Sequence, residues 1–396
     1  MSIPVLGQRF GAARESARRA LSALPPGRRA FSLYIHVPFC FHKCHYCDFY
    51  SIVDKQDRQG AYTDRLCEEL RALAPWAGPL RTVFVGGGTP TLLRPDLWER
   101  VLEALRGAYE FAPGHEFTVE CNPETATPEL MAVLAAGGVN RISIGAQSFN
   151  PTHLKTLERW HDPANVARSL ELARAAGIVR QSLDLIWGIP GQTLAEWEQD
   201  LRTALSLGTS HLSCYSLTYE PGTAMTARLN RGEFAKVDED LDADMFCLTL
   251  DTLRREGMER YEVSNFARPG AECRHNLAYW RQEDWLAAGP SASAHMAGWR
   301  WKNTPRLDDW LNFSDGGLAP VVDMEPAEER RNLRERLMTG LRIAEGVEVV
   351  DEPRVRRAAE RNIERGLLVE RGGRWVLTDA GFMVGDTVAA ELMAAV

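Results

Sequence analysis

Cys40, Cys44 and Cys47 stand in the stretch Tyr34-Ile-His-Val-Pro-Phe-Cys-Phe-His-Lys-Cys-His-Tyr-Cys47, with the spacing C-x3-C-x2-C. Three thiolates on one short loop can each bind one iron of a [4Fe–4S] cluster, for which cysteine thiolates are the usual ligands. Three protein ligands leave one iron open, and an open position is what a metal centre needs to act on a bound molecule. Zinc is the alternative. Structural zinc sites take four Cys or His ligands, commonly in pairs. His42 and His45 lie inside the loop, so counting alone does not exclude it.

Further polar residues fall at the ends of short apolar runs. Gly86-Gly-Gly-Thr-Pro-Thr91 follows one such run. Successive glycines let a backbone approach a ligand closely and turn its N–H groups inward, although a plain glycine turn has the same composition. Glu120 ends the next run, in Thr118-Val-Glu-Cys-Asn-Pro123. Ionised Glu is almost never fully buried unpaired, so a carboxylate at a strand tip reads as an acceptor for a ligand. Gln147 lies in Arg141-Ile-Ser-Ile-Gly-Ala-Gln, Arg159 in Leu157-Glu-Arg-Trp-His161, and Asp184 in Asp184-Leu-Ile-Trp-Gly-Ile-Pro-Gly-Gln-Thr193. Each alone is weak, and a surface ion pair would account for Arg159 or Asp184. Their succession carries the weight.

The cysteine loop and the GGGTPT turn resemble the radical S-adenosylmethionine superfamily. More closely, they are similar to the branch that holds the heme chaperones (HemW) and the oxygen-independent coproporphyrinogen III dehydrogenases (HemN). The resemblance implies a [4Fe–4S] cluster on Cys40, Cys44 and Cys47, with S-adenosylmethionine on the open iron through its amino and carboxylate groups. It assigns contacts to that molecule to Tyr34, Tyr46, Gly87, Gly88, Thr89, Glu120, Gln147, Arg159 and Asp184. A reduced cluster would then cleave the sulfonium to methionine and a 5′-deoxyadenosyl radical, the protein orienting the cofactor and excluding water.

Two features discriminate within the branch. The dehydrogenases extend the loop to C-x3-C-x2-C-x-C, and here that position is Phe49. His275-Asn-Leu-Ala-Tyr-Trp280 matches the HNxxYW motif of the chaperones. It implies heme contact through His275, since histidine ligates heme iron. Alternatively, His275 caps a helix while Tyr279 and Trp280 pack as core. His36, His42 and His45 are lesser candidates for the heme ligand. The implied function is a heme chaperone that binds heme, cluster and S-adenosylmethionine and delivers heme to an acceptor protein such as a respiratory enzyme. The alternative is the oxidative decarboxylation of coproporphyrinogen III, so enzymatic turnover stays open. One departure from the family is Ala287-Ala-Gly-Pro-Ser-Ala-Ser-Ala-His295, where relatives are richer in glycine.

The elements that must position these residues repeat as strand, polar tip and helix from residue 31. Strands are predicted at Ser32–Val37, Thr82–Val85, Glu116–Val119, Arg141–Ile144, Ser182–Ile186 and His211–Leu217. Helices are predicted at Ala61–Leu73, Asp96–Ala108, Pro128–Ala136, Pro163–Ala176, Leu194–Leu207 and Asp238–Arg255. Strand–helix alternation requires parallel strands. The fold class is therefore α/β: a partial (β/α)6 barrel, 31–257, with an open doubly wound sheet not excluded by counting. Active sites of such barrels lie at the C-terminal strand ends, where the motif residues fall. The rhythm stops in an aromatic-rich segment, 258–322. Residues 323–396 read as acidic stretch, helix from Pro326 to Arg342, helix, hairpin at Gly372-Gly373 and helix near Gly381–Met393. That order is α+β and winged-helix-like, fitted to packing or partner contact.

The 396 residues carry a net charge of −8, with 45% hydrophobic and 25% charged residues. This is an ordinary globular composition, and the sign argues against nucleic acid as a partner. No apolar run reaches the length of a membrane span, so membrane contact is expected only peripherally, through the acceptor. Cys67, Cys121, Cys214, Cys247 and Cys273 are scattered and read as small structural residues; reduced thiols and an oxygen-sensitive cluster point to the cytoplasm. Residues 1–30 hold Arg9, Arg14, Arg18, Arg19, Arg28 and Arg29 against Glu15. They are read as an extension with a solvated helix ending at Pro25-Pro26-Gly27, the alternative being a transit peptide. Oligomeric state is open, a cluster-linked dimer included.

Overall fold

The computed structural model describes residues 15–396. Six strands run in parallel and in chain order: β1 (Ala30–Val37), β2 (Ala77–Gly87), β3 (Phe111–Cys121), β4 (Arg141–Gln147), β5 (Arg180–Trp187) and β6 (His211–Ser216). Adjacent residues on opposite faces are both buried, as with Leu185 and Ile186 of β5, so the runs are largely apolar. Helices cross between them at Gln59–Leu73, Pro95–Ala108, Pro128–Ala136, Ala164–Ala175 and Leu194–Ser206, and Glu239–Arg255 follows the sixth strand. Local chemistry sets their starts. Thr127 accepts from the Leu130 N–H, and Thr193 forms a reciprocal capping box with Glu196. Pro95 and Pro128 occupy first helical positions, where no N–H is needed.

The aromatic-rich segment widens this barrel instead of following it. It supplies β7 (Glu259–Arg260), β8 (Asn265–Ala267), β9 (Trp285–Ala288), β10 (Ser293–Met296), β11 (Trp299–Asn303) and β12 (Val321–Glu325). β9 pairs in parallel with the free side of β1, making a seventh parallel strand where six were expected. The whole sheet has the order β12-β11-β10-β9-β1-β2-β3-β4-β5-β6-β8-β7. The Ala287–His295 stretch forms β9, a turn and β10, and Gly289 presses so close to the His36 carbonyl that no side chain would fit. The acidic residues from Asp323 lie in β12, which crosses the boundary expected at 322/323, and the helix after it is Glu329–Gly340.

The N-terminal reading needs correction. Helix Arg18–Ser22 is not solvated: Ala17, Ala20 and Leu21 are buried in the main core, and Arg18 pairs with Asp315 at 2.9 Å. Residues 1–14, including Arg9 and Arg14, lie outside the described residues. Cys67, Cys121, Cys214 and Cys273 are buried as expected, but Cys247 is exposed on the outer side of Glu239–Arg255.

The tail holds β13 (Val347–Glu348), β14 (Leu368–Arg371) and β15 (Arg374–Leu377) in a three-stranded antiparallel sheet of order β13-β15-β14. Its last helix breaks at Val384 into Asp379–Met383 and Gly385–Ala394. This domain has its own apolar core around Leu337, Val355, Trp375 and Leu392. Ion pairs tie it to the barrel: Arg260–Asp379 at 3.3 Å, Arg281–Glu345 at 2.8 Å and Arg300–Glu335 at 2.9 Å. Among the described residues no helix is long and apolar enough to cross a membrane.

Candidate functional site

The cysteine loop leaves β1 and returns beside it. The Cys40 N–H donates to the Ile52 carbonyl and the Ile52 N–H to the Pro38 carbonyl, both at 2.8 Å, which closes the loop at its root. His36 braces that root. Its Nε2 lies 2.8 Å from the Tyr50 carbonyl and must donate, so Nδ1 accepts from the Tyr34 hydroxyl at 3.0 Å. Burial pushes the His36 ring down to about 4. Thr89 donates to Cys40 Sγ at 3.6 Å and Arg159 to Cys44 Sγ at 3.7 Å. Burial pushes the Cys47 thiol up to about 12 and raises Cys40 as well. Such thiols give up their protons when a metal takes the proton's place.

Among the described residues, no three His, Cys, Asp or Glu side chains gather tightly enough to hold a single ion. The loop histidines are also turned elsewhere. His42 stacks on Trp160 at 4.0 Å between ring centres, and His45 lies 3.3 Å from the Arg228 guanidinium.

A chamber of about 810 Å³ opens at the C-terminal ends of the parallel strands. Tyr46, Cys47, Gly87, Gly88, Thr89, Glu120, Gln147, Arg159 and Asp184 all line it. Sequence positions more than a hundred residues apart thus meet on one wall. Burial, with Asp184 as second cause, pushes Glu120 up to about 8, and its Oε2 accepts from the Gly87 N–H at 3.1 Å. Burial also raises Asp184, whose Oδ1 accepts from Ser143 at 3.1 Å. Arg159 donates from Nη2 to the Gly145 carbonyl at 2.9 Å, while its buried Nε has no partner. Gln147 adopts a left-handed φ of 63° at a register shift between β4 and β5, a bulge that re-aims its side chain.

The glycine turn works differently from expectation. Its N–H groups do not point into the chamber: Gly87 donates to Glu120, Gly88 to the Val37 carbonyl and Thr89 to the Phe39 carbonyl. The glycines are needed for packing. A Cβ on Gly87 would meet the His36 ring at 2.5 Å, and one on Gly88 the Phe39 carbonyl at 2.7 Å.

Two expected contacts are not on the wall. Tyr34 lies behind it, stacked on Phe84 and close enough to Glu120 to feel its charge. His275 is fully buried at the opposite, N-terminal end of the barrel. Thr82 Oγ1 donates to Ser32, so it accepts from His275 Nδ1 at 2.8 Å, and Nε2 then accepts from the Tyr279 hydroxyl at 2.9 Å. Burial pushes this ring down to about 3. Both ring nitrogens of His275 are thus engaged in the core, the packing alternative to heme contact at this motif. Helix Arg274–Trp280 is a plug in the barrel floor, its first N–H groups held by buried Glu116.

Sequence reasoning missed the outer half of the chamber. Trp187, Tyr215, Asp242 and Phe246 face it from β5, β6 and Glu239–Arg255, and Phe382 and Met383 from the C-terminal domain. Trp187 lies inside a quoted motif, but the others carried no local signal.

The donor set fits the cofactors that such a loop implies. Carboxylates dominate the wall: Asp48, Glu120, Asp184, Glu220, Glu239, Asp242 and Asp386 face a single guanidinium, Arg159. Acids suit an ammonium and a sulfonium, and the unpartnered Arg159 Nε suits one carboxylate.

The profile of the radical SAM superfamily matches residues 34–204. The heme chaperone HemW of Mycobacterium tuberculosis is 36% identical over 375 residues, 93% of this chain and 96% of that one. The heme chaperone HemW of Escherichia coli is 34% identical over 369 residues, covering 90% and 96%. Among solved structures, the coproporphyrinogen III oxidase HemN of Escherichia coli superposes with a TM-score of 0.83 over 98% of this chain and 94% of that one. At 22% sequence identity, that likeness is one of fold.

Proposed function

The chain belongs to the HemW family of the radical SAM superfamily, and from that premise we propose that it is a heme chaperone carrying a [4Fe–4S] cluster and S-adenosylmethionine. The observation that carries this reading is the 36% identity with a heme chaperone along 93% of the chain. Cys40, Cys44 and Cys47 would hold the cluster, and its chemistry when bound is one-electron reduction of the sulfonium. The chain's own residues then divide the work. Glu120 and Asp184 take the cationic and hydroxyl groups of the cofactor, Arg159 its carboxylate, and Tyr46 covers it. Delivery of heme to an acceptor protein follows from the same reading.

Charge speaks against the runner-up, oxidative decarboxylation of coproporphyrinogen III. That substrate carries four propionates, and the chamber offers Arg159 alone against seven carboxylates. Four propionates would find one cationic partner there. Phe49 also stands where the dehydrogenases carry a further loop cysteine.

The test is an anaerobic hemin titration of the cluster-reconstituted protein, followed by transfer to an apo-hemoprotein. Saturation near one heme per chain, with transfer, is expected. Turnover of coproporphyrinogen III without specific heme binding overturns the reading.

A further inference from the structure

Gln147 stands in a backbone conformation that glycine would take more readily. Its φ is 63°, at the register shift between β4 and β5. A residue with a side chain persists there only where its surroundings over-determine it. The side chain has a use. A Cβ on Gly145 would meet Gln147 Nε2 at 2.8 Å and Arg159 Nη2 at 2.9 Å, so the amide and the guanidinium lie against the same bare backbone on the chamber wall.

The residue that fixes this turn comes from outside the barrel. Asp200 belongs to the helix Leu194–Ser206 and is 2% exposed. Its Oδ2 accepts from the Ser148 hydroxyl at 2.6 Å and its Oδ1 from the Phe149 N–H at 2.8 Å. Ser148 Oγ in turn accepts from the Asn150 N–H at 3.0 Å. The two residues that follow Gln147 are thereby pinned to one buried carboxylate. Aspartate is a poor helix former and a costly group to bury. What it adds here is direction, because both oxygens are spent on the turn that aims Gln147. Contacts run on from there to the cysteine loop: Arg159 donates to the Gly145 carbonyl at 2.9 Å and to Cys44 Sγ at 3.7 Å.

We propose that Asp200 is a positioning residue for S-adenosylmethionine: it holds Gln147 in its left-handed conformation, and Gln147 in turn holds Arg159 against the cofactor's carboxylate. This role rests on the cofactor reading given above. Asp200 is not on the chamber wall; it lines a separate cleft on the far side of the turn, with Phe149 and Asn150. It therefore acts only through Gln147.

The experiment uses the full chain with its cluster reconstituted anaerobically. Affinity for S-adenosylmethionine is read from the change it causes in the reduced cluster's electron paramagnetic resonance. The proteins are wild type, Asp200→Ala, Asp200→Asn, Gln147→Ala and the double variant Asp200→Ala/Gln147→Ala. Amide hydrogen exchange over residues 145–150 is followed in the same proteins without cofactor. Expected are about tenfold weaker binding and faster exchange at Phe149 in Asp200→Ala. Asp200→Asn, which keeps an acceptor for the Phe149 N–H, should lose less. The double variant should bind no more weakly than Gln147→Ala alone, because Asp200 then has nothing left to position. A loss from Asp200→Ala that is equal with and without Gln147 overturns the role, and so does full affinity in a folded Asp200→Ala. If Asp200→Ala does not fold, Ser148→Ala takes its place in the same cycle. Should wild type bind no S-adenosylmethionine, the cofactor reading fails and this role with it.

Discussion

The ring of His36 fills the place where a side chain on Gly87 would stand, 2.5 Å from the Cβ position. The strand that carries the cysteine loop and the strand that carries the glycine turn are thereby locked at one height. Gly87 also holds a φ of 109°, closed to other residues without strain. Gly87→Ala should cost about 1–3 kcal/mol of stability and abolish the cofactor-induced change in the cluster's spectrum. An unchanged melting temperature with normal cofactor binding would contradict this account.

Glu120 is pushed up to about 8 by burial, so the cofactor contact proposed for it would make binding depend on pH. Its folded pKa lies above the ordinary carboxylate range near 4.3. Its contribution to stability is therefore present below that range and lost as pH rises through about 8. A bound cation reverses the preference by favouring the ionised form. S-adenosylmethionine should bind more tightly as pH climbs from about 6 towards 9, releasing a proton from Glu120. Calorimetry in buffers of different ionisation enthalpy reads that proton. Glu120→Gln should weaken binding and flatten the pH profile; a profile that keeps its slope in the variant would assign the proton elsewhere.

His275 is predicted to matter for folding. Removing its ring leaves the Thr82 and Tyr279 hydroxyls without their partner beneath the barrel. His275→Ala should lose about 2–4 kcal/mol, combining the unmet hydrogen bonds with a cavity. Urea unfolding measures it, and a variant as stable as wild type would show that the floor is not built as described.

Glu69 joins three elements from one buried position. It accepts from the Gly289 N–H at 3.0 Å, Asn303 Nδ2 at 2.8 Å and Trp310 Nε1 at 3.0 Å. Glu69→Ala strands all three donors and should cost about 3 kcal/mol or more. Glu69→Gln, which keeps an acceptor oxygen, should recover part. Equal losses in the two variants would refute the hydrogen-bond explanation.

The C-terminal domain is joined to the barrel by ion pairs, by a backbone bridge between Glu262 and Ile343, and by the Ala344 N–H donating to the Tyr261 carbonyl at 2.9 Å. Arg260 is central. Its guanidinium lies 3.4 Å from the Phe382 ring centre and 3.3 Å from Asp379, while Phe382 lines the chamber. Arg260→Ala should speed proteolysis between the barrel and the domain. In wild type, higher salt should produce part of the same effect by screening the exposed pairs. Cleavage insensitive to both would mean that the domain is fixed by other contacts.

Much of this was legible in the sequence because the signals are local. Glu120 and Gln147 follow apolar runs at the C-terminal ends of β3 and β4, and Asp184 interrupts the apolar run of β5, so the three could be placed on one wall before their distances were known. The cysteine spacing likewise needs no tertiary information. What failed depends on contacts distant in sequence. The packing of His275 was hidden because the motif does not reveal that Thr82, some two hundred positions earlier, stands beneath it. β9 was hidden because its run, Trp285–Ala288, is short and gains its place only by pairing with β1. The packing role of the glycine turn was hidden because sequence shows the missing side chains but not the His36 ring that fills their space.

A barrel that stays open leaves two strand edges on which another chain could pair. Here one edge is the two-residue strand Glu259–Arg260. The other is β12, which carries Asp323 and Glu325 and runs into Pro326. Its first residues are already engaged, for Val321 donates to the Glu15 carbonyl at 2.7 Å and Pro320 bridges to Ser16. Short, charged and covered edges resist edge-to-edge assembly. Two such chains that met would therefore have to associate through side-chain surfaces rather than by continuing the sheet.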